Sequence, residues 1–410
     1  MKTLHLTNAY HPTSGGIREL YHALLKHAGK SGHHMRLVVP WSESSVDDLD
    51  EYARIYRVRA PCSPIFDRRY RLVLPPAALG PRSRIVQILR DEQPDLIEVC
   101  DKYSLFYLAG AIRKGWIGGL KRPVLVGLSC ERMDDNVESY VGLGCLGRAL
   151  SSLYIRRIYV PQFDYHVANS DYTAGELKRQ ARKHPRGVHV IPMGVDIDRF
   201  GPYRRSKKAR QALIDRIGGT DDSRVLVYAG RLSSEKNVGL LPRVVHELTA
   251  SGRRDYRLVI AGSGPLADKL AEDCARIVPA RTTFLWQLDR NALADLLANA
   301  DVFIHPNPRE PFGIAPLEAM ASGLPLVAPT TGGVTTYASD ETAWLAPADA
   351  ERFAVCVQQI FAHPQVSARR TERALAVARE YRWERIAGQF FDTYGQLVCG
   401  GIGSPALTSS

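Results

Sequence analysis

The sequence lacks long apolar runs, paired cysteines and a convincing DxD metal motif. No stretch approaches the ~18 apolar residues that cross a bilayer, and the first residues lack the apolar core of a signal peptide. The seven cysteines are scattered, without a CxxC pair, which argues against a disulfide framework or a zinc site. We therefore expect a reduced, cytoplasmic protein that can touch the inner face of a membrane peripherally.

The composition is that of an ordinary globular protein with an excess of positive charge. Hydrophobic residues make up 45% of the 410 residues and charged residues 24%, which argues against disorder and predicts two or three domains. The formal net charge of +11 favours an anionic partner: nucleic acid, an anionic membrane surface or a phosphorylated substrate. Nine arginines and one acid lie between residues 54 and 90.

Short apolar strands alternate with amphipathic helices, which predicts α/β structure with parallel sheets covered on both faces. The expected strands are 4–7, 36–39, 96–99, 124–128, 166–168, 188–191, 225–229, 257–261, 282–285, 302–305 and 326–328. Residues 193–210, rich in glycine, proline and basic side chains, are expected to link two doubly wound, Rossmann-like domains that face each other across a cleft. Ligands of such sheets bind beyond the carboxyl ends of the strands.

Three glycine-containing loops follow predicted strands. Gly15 and Gly16 precede a helix, so their N–H groups can approach an anion. Arg231 and Lys236 follow the strand at 225–229, where two cations suit a pyrophosphate. The third loop, which again lies between a predicted strand and a predicted helix, contains Gly262 and Gly264.

The segment 307–325 carries the strongest signal. Glu310 lies in a loop after the strand at 302–305, and a helix is expected to start near Gly313 or Ile314. The free N–H groups at that start would face an anion. Glu318 lies about one turn into the helix, where its carboxylate can accept hydrogen bonds from a ribose diol. Glu310 can hold sugar hydroxyls.

Nearly the whole chain resembles retaining glycosyltransferases of family 4, which have the GT-B fold. The resemblance rests on residues 230–237, 261–265, Glu310 to Glu318, and Gly332-Gly333, with further matches at 15–16, 169–170, 193–200 and 381–384. It implies an acceptor-binding domain at 1–192, a nucleotide-sugar-binding domain at 211–378, a helix at 379–398 that crosses back to the first domain, and a flexible tail at 399–410.

The resemblance also implies roles for the site residues. Arg231 and Lys236 would bind the donor pyrophosphate, and Glu318 the ribose. Glu310 would contact the sugar. Gly16, beside Gly15, would approach the phosphate. The remaining donor contacts would come from backbone groups of Gly262, Gly264, Phe312, Gly313 and Ile314. The family usually works without a bound metal, so we expect neither a metal nor another cofactor.

Two departures from the family pattern bear on the chemistry. The family often places a histidine after the strand at 124–128, whereas Ser129-Cys130-Glu131-Arg132 stands here. Either Cys130 or Glu131 is a candidate to replace that histidine near the reacting sugar. The family's usual glycine after the strand at 282–285 is Trp286 here, which would alter the base pocket.

The acceptor is less defined. The segments 58–64 and 70–75 are similar to those of bacterial members that glycosylate lipids, and 146–160 is a second basic and apolar segment. Each can rest on anionic headgroups, at ~1 kcal/mol per basic residue, and each equally fits a solvated face. The basic residues singled out are Arg71 with Arg68 and Arg69, which lie between the first two segments, and Arg148, Arg156 and Arg157 in the second region.

The leading hypothesis is a hexosyltransferase that moves mannose from GDP-mannose to a lipid or glycan acceptor. The alternatives are a UDP-sugar-dependent transferase with a soluble acceptor, a sugar-nucleotide epimerase, and a non-catalytic nucleotide-sugar-binding protein. The stretch Glu310-Pro311-Phe312-Gly313 favours transfer over epimerisation. A nucleic-acid partner is suggested by charge alone, without a binding motif, and we do not expect one.

Overall fold

In a computed structural model of the chain, two sheets each organise a separate unit. The first unit combines Met1–Met193 with Trp383–Ser410, and the second is Gly194–Arg382. Among the described residues, no helix is both long and apolar enough to cross a bilayer. The structure describes residues 1–11, 15–63, 70–80, 83–141, 144–180, 187–250, 252 and 254–400.

The sheet of the first unit is parallel except at one edge. Over the described residues its strands are β1 (Lys2–Thr7), β2 (His34–Trp41), β3 (Ser45–Asp48), β4 (Ala53–Arg59), β5 (Leu96–Cys100), β6 (Val124–Ser129), β7 (Tyr165–Ala168) and β8 (Val188–Val190). Their order is β3-β4-β2-β1-β5-β6-β7-β8, and β3 pairs antiparallel with β4.

Helices cover both faces of this sheet because their apolar stripes need a partner. In α1, for example, Leu20 and Leu24 are fully buried. The helices that precede the second unit are α1 (Gly16–Ala28), α2 (Pro75–Leu79), α3 (Arg84–Glu92), α4 (Phe106–Arg113), α5 (Met133–Val141), α6 (Gly144–Tyr154) and α7 (Asp171–Gln180).

Strand β4 was not among the strands expected from the sequence, although it alternates arginine with apolar residues. Its arginines were instead counted with the basic run at 54–90. In the structure Arg57 donates to Asp47 of β3 at 2.9 Å, and Arg54 pairs with Asp48. Neighbouring acids therefore offset part of that positive charge. Arg68 and Arg69 lie outside the described residues.

The second unit has a parallel sheet of six strands over the described residues, in the order β11-β10-β9-β12-β13-β14. The strands are β9 (Arg224–Ala229), β10 (Tyr256–Ala261), β11 (Thr282–Trp286), β12 (Val302–Ile304), β13 (Leu326–Pro329) and β14 (Trp344–Ala346). The predicted parallel α/β architecture is confirmed in both units. The short strand β14 was not expected from the sequence.

The helices of the second unit begin inside the segment expected to be a linker. The hydroxyl of Ser206 accepts the N–H of Ala209 at 3.0 Å, and this cap starts a helix at Lys207. The helices are α8 (Lys207–Arg216), α9 (Leu240–Ala250), α10 (Ala267–Ile277), α11 (Arg290–Asn299), α12 (Ile314–Ala321), α13 (Ala350–Ala362) and α14 (Pro364–Glu380).

The last helix, α15 (Trp383–Val398), belongs to the first unit. A buried hydrogen-bond network holds it there. Glu98 in β5 is fully buried and accepts from His5 at 3.0 Å, from the hydroxyl of Tyr21 at 2.8 Å and from the hydroxyl of Tyr394 in α15. Burial alone would raise the pKa of Glu98, but these partners hold it below its usual value. The network keeps a carboxylate charged inside the core.

We predict that Tyr394→Phe lowers the free energy of unfolding of the first unit by about 1–3 kcal/mol, because it removes a donor from a buried charge. Urea denaturation followed by circular dichroism measures this. Tyr52→Phe is the matched control: the Tyr52 ring stacks 5.1 Å from His34, and the change should cost under about 0.5 kcal/mol. Equal effects of the two changes would contradict the role given to the network.

Candidate active site

Two glycine-containing loops meet at the carboxyl ends of β9 and β10. The N–H of Gly230 donates to the carbonyl of Ala261 at 3.0 Å. A Cβ at Gly262 would lie 1.8 Å from the Gly230 oxygen, and one at Gly264 would lie 2.3 Å from the Leu232 oxygen. Only glycine fits at positions 262 and 264, because the loops touch through their backbones.

Lys236 and Glu310 form an ion pair at this edge of the sheet. The Nζ of Lys236 lies 2.8 Å from Oε1 and 2.9 Å from Oε2 of Glu310. Lys236 ends a 3-10 turn, and Asn237 follows with a φ of 53°. The side chain of Asn237 donates to the carbonyl of Pro306 at 2.9 Å. The turn is therefore tied to the loop that leads to Glu310.

The carboxylate of Glu310 is charged although its side chain is only 11% exposed. Burial raises its pKa, but Lys236, His305 and Asn307 together hold it below the usual value. Asn307 donates to Oε2 at 3.1 Å, and His305 Nε2 lies 3.9 Å from the same oxygen. Burial lowers the pKa of His305 to about 4, so its imidazole is neutral near pH 7.

A second backbone contact shapes the loop that carries Glu310. The N–H of Gly333 donates to the Glu310 carbonyl at 2.6 Å, and a Cβ at Gly333 would lie 2.0 Å from the oxygen of Pro311. The loop ends at Gly313, with a φ of 90°, and α12 begins at Ile314. The first N–H groups of α12, at the positive end of the helix dipole, therefore begin four residues after Glu310.

Phe312 contributes packing from its side chain. It is 2% exposed, and its ring centroid lies 5.2 Å from that of Tyr337 and 6.3 Å from that of Tyr381. The hydroxyl of Tyr337 donates to the Gly313 carbonyl. This aromatic cluster holds the loop in place. Because the Phe312 side chain is buried within it, only the backbone of Phe312 remains available to a ligand.

Glu318 is paired with an arginine that the sequence did not indicate. Glu318 is 1% exposed, and its carboxylate accepts from Arg290, at the start of α11, at 2.6 Å. The guanidinium of Arg290 lies 4.8 Å from the ring centroid of Phe200. The arginine thus bridges α11 and α12 and orients the carboxylate.

Trp286 ends β11 in a conformation that tryptophan rarely adopts. Its φ is 53°, a left-handed value that costs about 1–3 kcal/mol for a residue other than glycine. Its carbonyl accepts the N–H of Gly262 at 2.7 Å, its ring centroid is 5.6 Å from that of Phe284, and half of its surface is exposed. The backbone at Trp286 thus has the left-handed conformation that glycine usually provides. The residue differs from a glycine in carrying an indole at the end of β11.

In the first unit, Gly15 precedes α1 and Gly16 is the first residue of the helix. Among the described residues, no atom lies within 4 Å of a Cβ built at Gly15, and its φ is −85°. Crowding by other described residues therefore does not explain this glycine. Its contact with an anion stays a prediction. Thr13 and Ser14 lie outside the described residues.

Glu131 follows β6 and belongs to a buried polar cluster. Lys102 is 1% exposed, and its Nζ donates to the Glu131 carbonyl at 2.5 Å and to the carboxylate of Glu176 at 2.6 Å. The side chain of Asn136 donates to Oε2 of Glu131 at 2.9 Å. Burial raises the pKa of Glu131 despite Lys102 and Asn136. The neighbouring Cys130 thiol, together with burial, raises the pKa of the Cys100 thiol.

Several residues of these clusters were not singled out from the sequence: His305, Asn307, Arg290, Lys102 and Glu176. Three of them lie within three residues of a strand end, since Lys102 follows β5 and His305 and Asn307 follow β12. Polar residues at strand ends are the available signal. Arg290 and Glu176 lie on helices, where spacing alone does not distinguish them from surface charges. Over the described residues, no three His, Cys, Asp or Glu side chains are grouped to hold a metal ion.

Comparison with known proteins agrees with this arrangement. A model described as Glycosyltransferase Family 4 matches residues 14–199, and one described as Glycosyl transferases group 1 matches residues 210–376. Over 97% of both chains, the protein is 30% identical to a GDP-mannose-dependent alpha-(1-6)-phosphatidylinositol dimannoside mannosyltransferase of Mycobacterium tuberculosis. The chain belongs to glycosyltransferase family 4. It is a retaining, nucleotide-sugar-dependent hexosyltransferase, as the sequence predicted.

Other family 4 relatives and solved structures extend the comparison. A GDP-mannose-dependent alpha-mannosyltransferase of Mycolicibacterium smegmatis is 28% identical over 81% of this chain and 80% of its own. A sucrose-phosphate synthase from Thermosynechococcus elongatus superposes with a TM-score of 0.74 at 20% identity, covering 98% of this chain and 100% of that chain. The predicted GT-B fold is confirmed.

His305 gives the second unit a specific acid sensitivity. The unfolded chain takes up a proton on this residue near pH 6.5, whereas the folded protein does so only near pH 4. We predict that stability falls by about 3 kcal/mol from pH 7 to pH 4 through this group alone. In His305→Gln that part of the pH dependence is absent. Urea denaturation at pH 4, 5, 6 and 7 measures the difference, and parallel curves would contradict the prediction.

Proposed function

We propose that this family 4 enzyme transfers mannose from GDP-mannose to a lipid or glycan acceptor, working at the inner face of a membrane. The supporting observation is the similarity to the Mycobacterium tuberculosis mannosyltransferase, which extends over 97% of both chains and so includes both units. That enzyme is named for GDP-mannose and for a phosphatidylinositol mannoside. The Mycolicibacterium smegmatis relative is also named as GDP-mannose-dependent.

The donor diphosphate is assigned to Arg231 and Lys236, together with the backbone N–H groups of Gly313 and Ile314 at the start of α12. Both cations follow β9, and the helix contributes a partial positive charge. As the glycosidic bond breaks, negative charge accumulates on the leaving diphosphate. Fixed cations and N–H groups lower the energy of that state without needing to reorganise.

Glu310 is assigned to the hydroxyls of the transferred sugar. Its pKa is held below the usual value by neighbouring groups, so it is an acceptor of hydrogen bonds at neutral pH. The ion pair with Lys236 keeps the carboxylate fixed before the donor binds. Glu318, oriented by Arg290 at 2.6 Å, is assigned to the ribose diol.

The reaction we propose is attack on the same face of the sugar from which the diphosphate leaves. The bond between the anomeric carbon and the phosphate oxygen breaks, and its electron pair stays on the phosphate. The acceptor oxygen bonds to the anomeric carbon, and its proton passes to a phosphate oxygen. Cys130 and Glu131, which follow β6, are the candidates to contact the reacting groups from the first unit. No covalent enzyme intermediate is required.

Trp286 supports a purine donor. Its indole is half exposed at the end of β11, and its backbone carbonyl is joined to Gly262. Stacking of a base on an aromatic ring contributes about 1–3 kcal/mol. Guanine offers a larger flat surface to the indole than uracil does. We therefore expect this residue to favour a purine diphosphate, such as GDP, over UDP.

We predict that GDP and GDP-mannose raise the melting temperature more than UDP, ADP and their sugar conjugates do. Ligand at ~100 times its dissociation constant adds about 2.7 kcal/mol. The shift should disappear in Arg231→Ala and persist in the control Arg216→Ala, an exposed arginine of α8.

The product formed from GDP-mannose should be α-linked by NMR. A preference for a UDP-sugar in the melting experiment would contradict GDP-mannose as the donor. A β-linked product would contradict attack on the face from which the diphosphate leaves.

We predict that Trp286→Asn weakens GDP binding about tenfold and UDP binding less, since asparagine tolerates the left-handed backbone but offers no ring. Trp286→Phe should retain most of the affinity. Isothermal titration calorimetry measures the affinities of the wild type and of each variant for GDP and for UDP. Trp116→Asn is the matched control, because Trp116 is 70% exposed in the first unit. Equal losses for GDP and UDP would argue against stacking as the source of base preference.

A further inference from the structure

In helix α6 small residues are buried and large apolar residues are exposed, which is the reverse of an ordinary surface helix. Gly147 and Ser151 are buried, whereas Leu146, Leu150 and Leu153 are 61%, 52% and 46% exposed. The leucines are spaced at i, i+4 and i+7, so they form one stripe. Large apolar side chains thus point outward where a soluble helix would place polar ones. The stripe lacks a covering partner among the described residues.

Positive charge flanks this leucine stripe, and one of its arginines, Arg148, is paired with Glu138 of α5 at 3.6 Å. Arg148, Arg156 and Arg157 are exposed, and Ile158 extends the apolar surface with 44% exposure. No aspartate or glutamate occurs from residue 142 to residue 163. A surface with leucines in the centre and arginines around them matches a layer of anionic headgroups over acyl chains.

The same helix is joined to the polar cluster at the carboxyl ends of β5 and β6. The hydroxyl of Tyr154, the last residue of α6, donates to the carbonyl of Lys102 at 2.7 Å. Lys102 in turn donates to the carbonyl of Glu131 at 2.5 Å. Within the first unit, the leucine stripe therefore lies on the element next to the residues assigned to the reacting groups.

We propose that the outward face of α6, defined by Leu146, Leu150, Leu153 and Ile158 with Arg148, Arg156 and Arg157, docks the enzyme on a bilayer containing anionic lipids. This inference rests on the lipid acceptor proposed above. A second copy of the chain fits the surface less well, because it would place like charges against one another. Nucleic acid would leave the leucines exposed.

The test is co-sedimentation of the full chain with vesicles of phosphatidylcholine alone or with 30% phosphatidylglycerol. We expect binding to the anionic vesicles that weakens as salt increases. Leu150→Asp should lower the affinity at least tenfold, and each of Arg156→Gln and Arg157→Gln about fivefold. Leu49→Asp is the control, since Leu49 is 54% exposed on a different part of the first unit.

Nucleotide binding separates this inference from the proposed function. All these variants should keep the thermal shift with GDP. Failure of the wild-type chain to bind either vesicle, or equal binding by Leu150→Asp, would overturn the docking surface even if mannose transfer is found. A dimer that Leu150→Asp dissociates, without vesicle binding, would assign the surface to a second copy and overturn it as well. Vesicle binding without any nucleotide response would support α6 as the docking surface and contradict the proposed donor.

Discussion

Contact between backbones, without intervening side chains, is the constraint on which the candidate active site depends. It occurs where Gly262 meets the Gly230 carbonyl and where Gly333 meets the carbonyl of Pro311. Each contact brings two loops from neighbouring strand ends within hydrogen-bonding distance. The loops are thereby fixed from both sides, and their outward N–H groups and charged side chains hold one geometry before a donor arrives. Such preorganisation lets a site stabilise charge without moving at the moment of reaction.

Two carboxyl groups illustrate how the environment assigns roles to the same functional group. Glu310 has a lysine within 2.9 Å and stays charged, so it can only accept hydrogen bonds. Burial raises the pKa of Glu131, although a buried lysine contacts its backbone carbonyl. A carboxyl in that environment takes up a proton more readily, and it can then donate as well as accept. Their chemistry is decided by which neighbours reach the oxygens.

Most elements were predictable because their signals are local. The helix at 314–321 and the strand starting at Leu96 begin where apolar periodicity and glycine turns predict. Strand β4 was missed because its arginines were weighed as charge, although the alternation from Ala53 to Arg59 is a strand signal. The Arg290–Glu318 pair was not predictable. The two residues are 28 positions apart on different helices, and only the tertiary packing brings those helices together. The segment 146–160 was considered as a membrane-facing segment, but the sequence left a solvated face equally open, because periodicity identifies an apolar face without showing which way it points.

The attachment of α15 to the first unit has a consequence for synthesis. Glu98 and its partner Tyr394 are separated by 296 residues, and the entire second unit lies between them. At ~5–20 residues per second, the ribosome needs roughly 15 to 60 seconds to make that interval. The second unit is continuous and can fold as it emerges. The first unit must wait with part of its core uncovered, so the half of the protein made first is the half completed last.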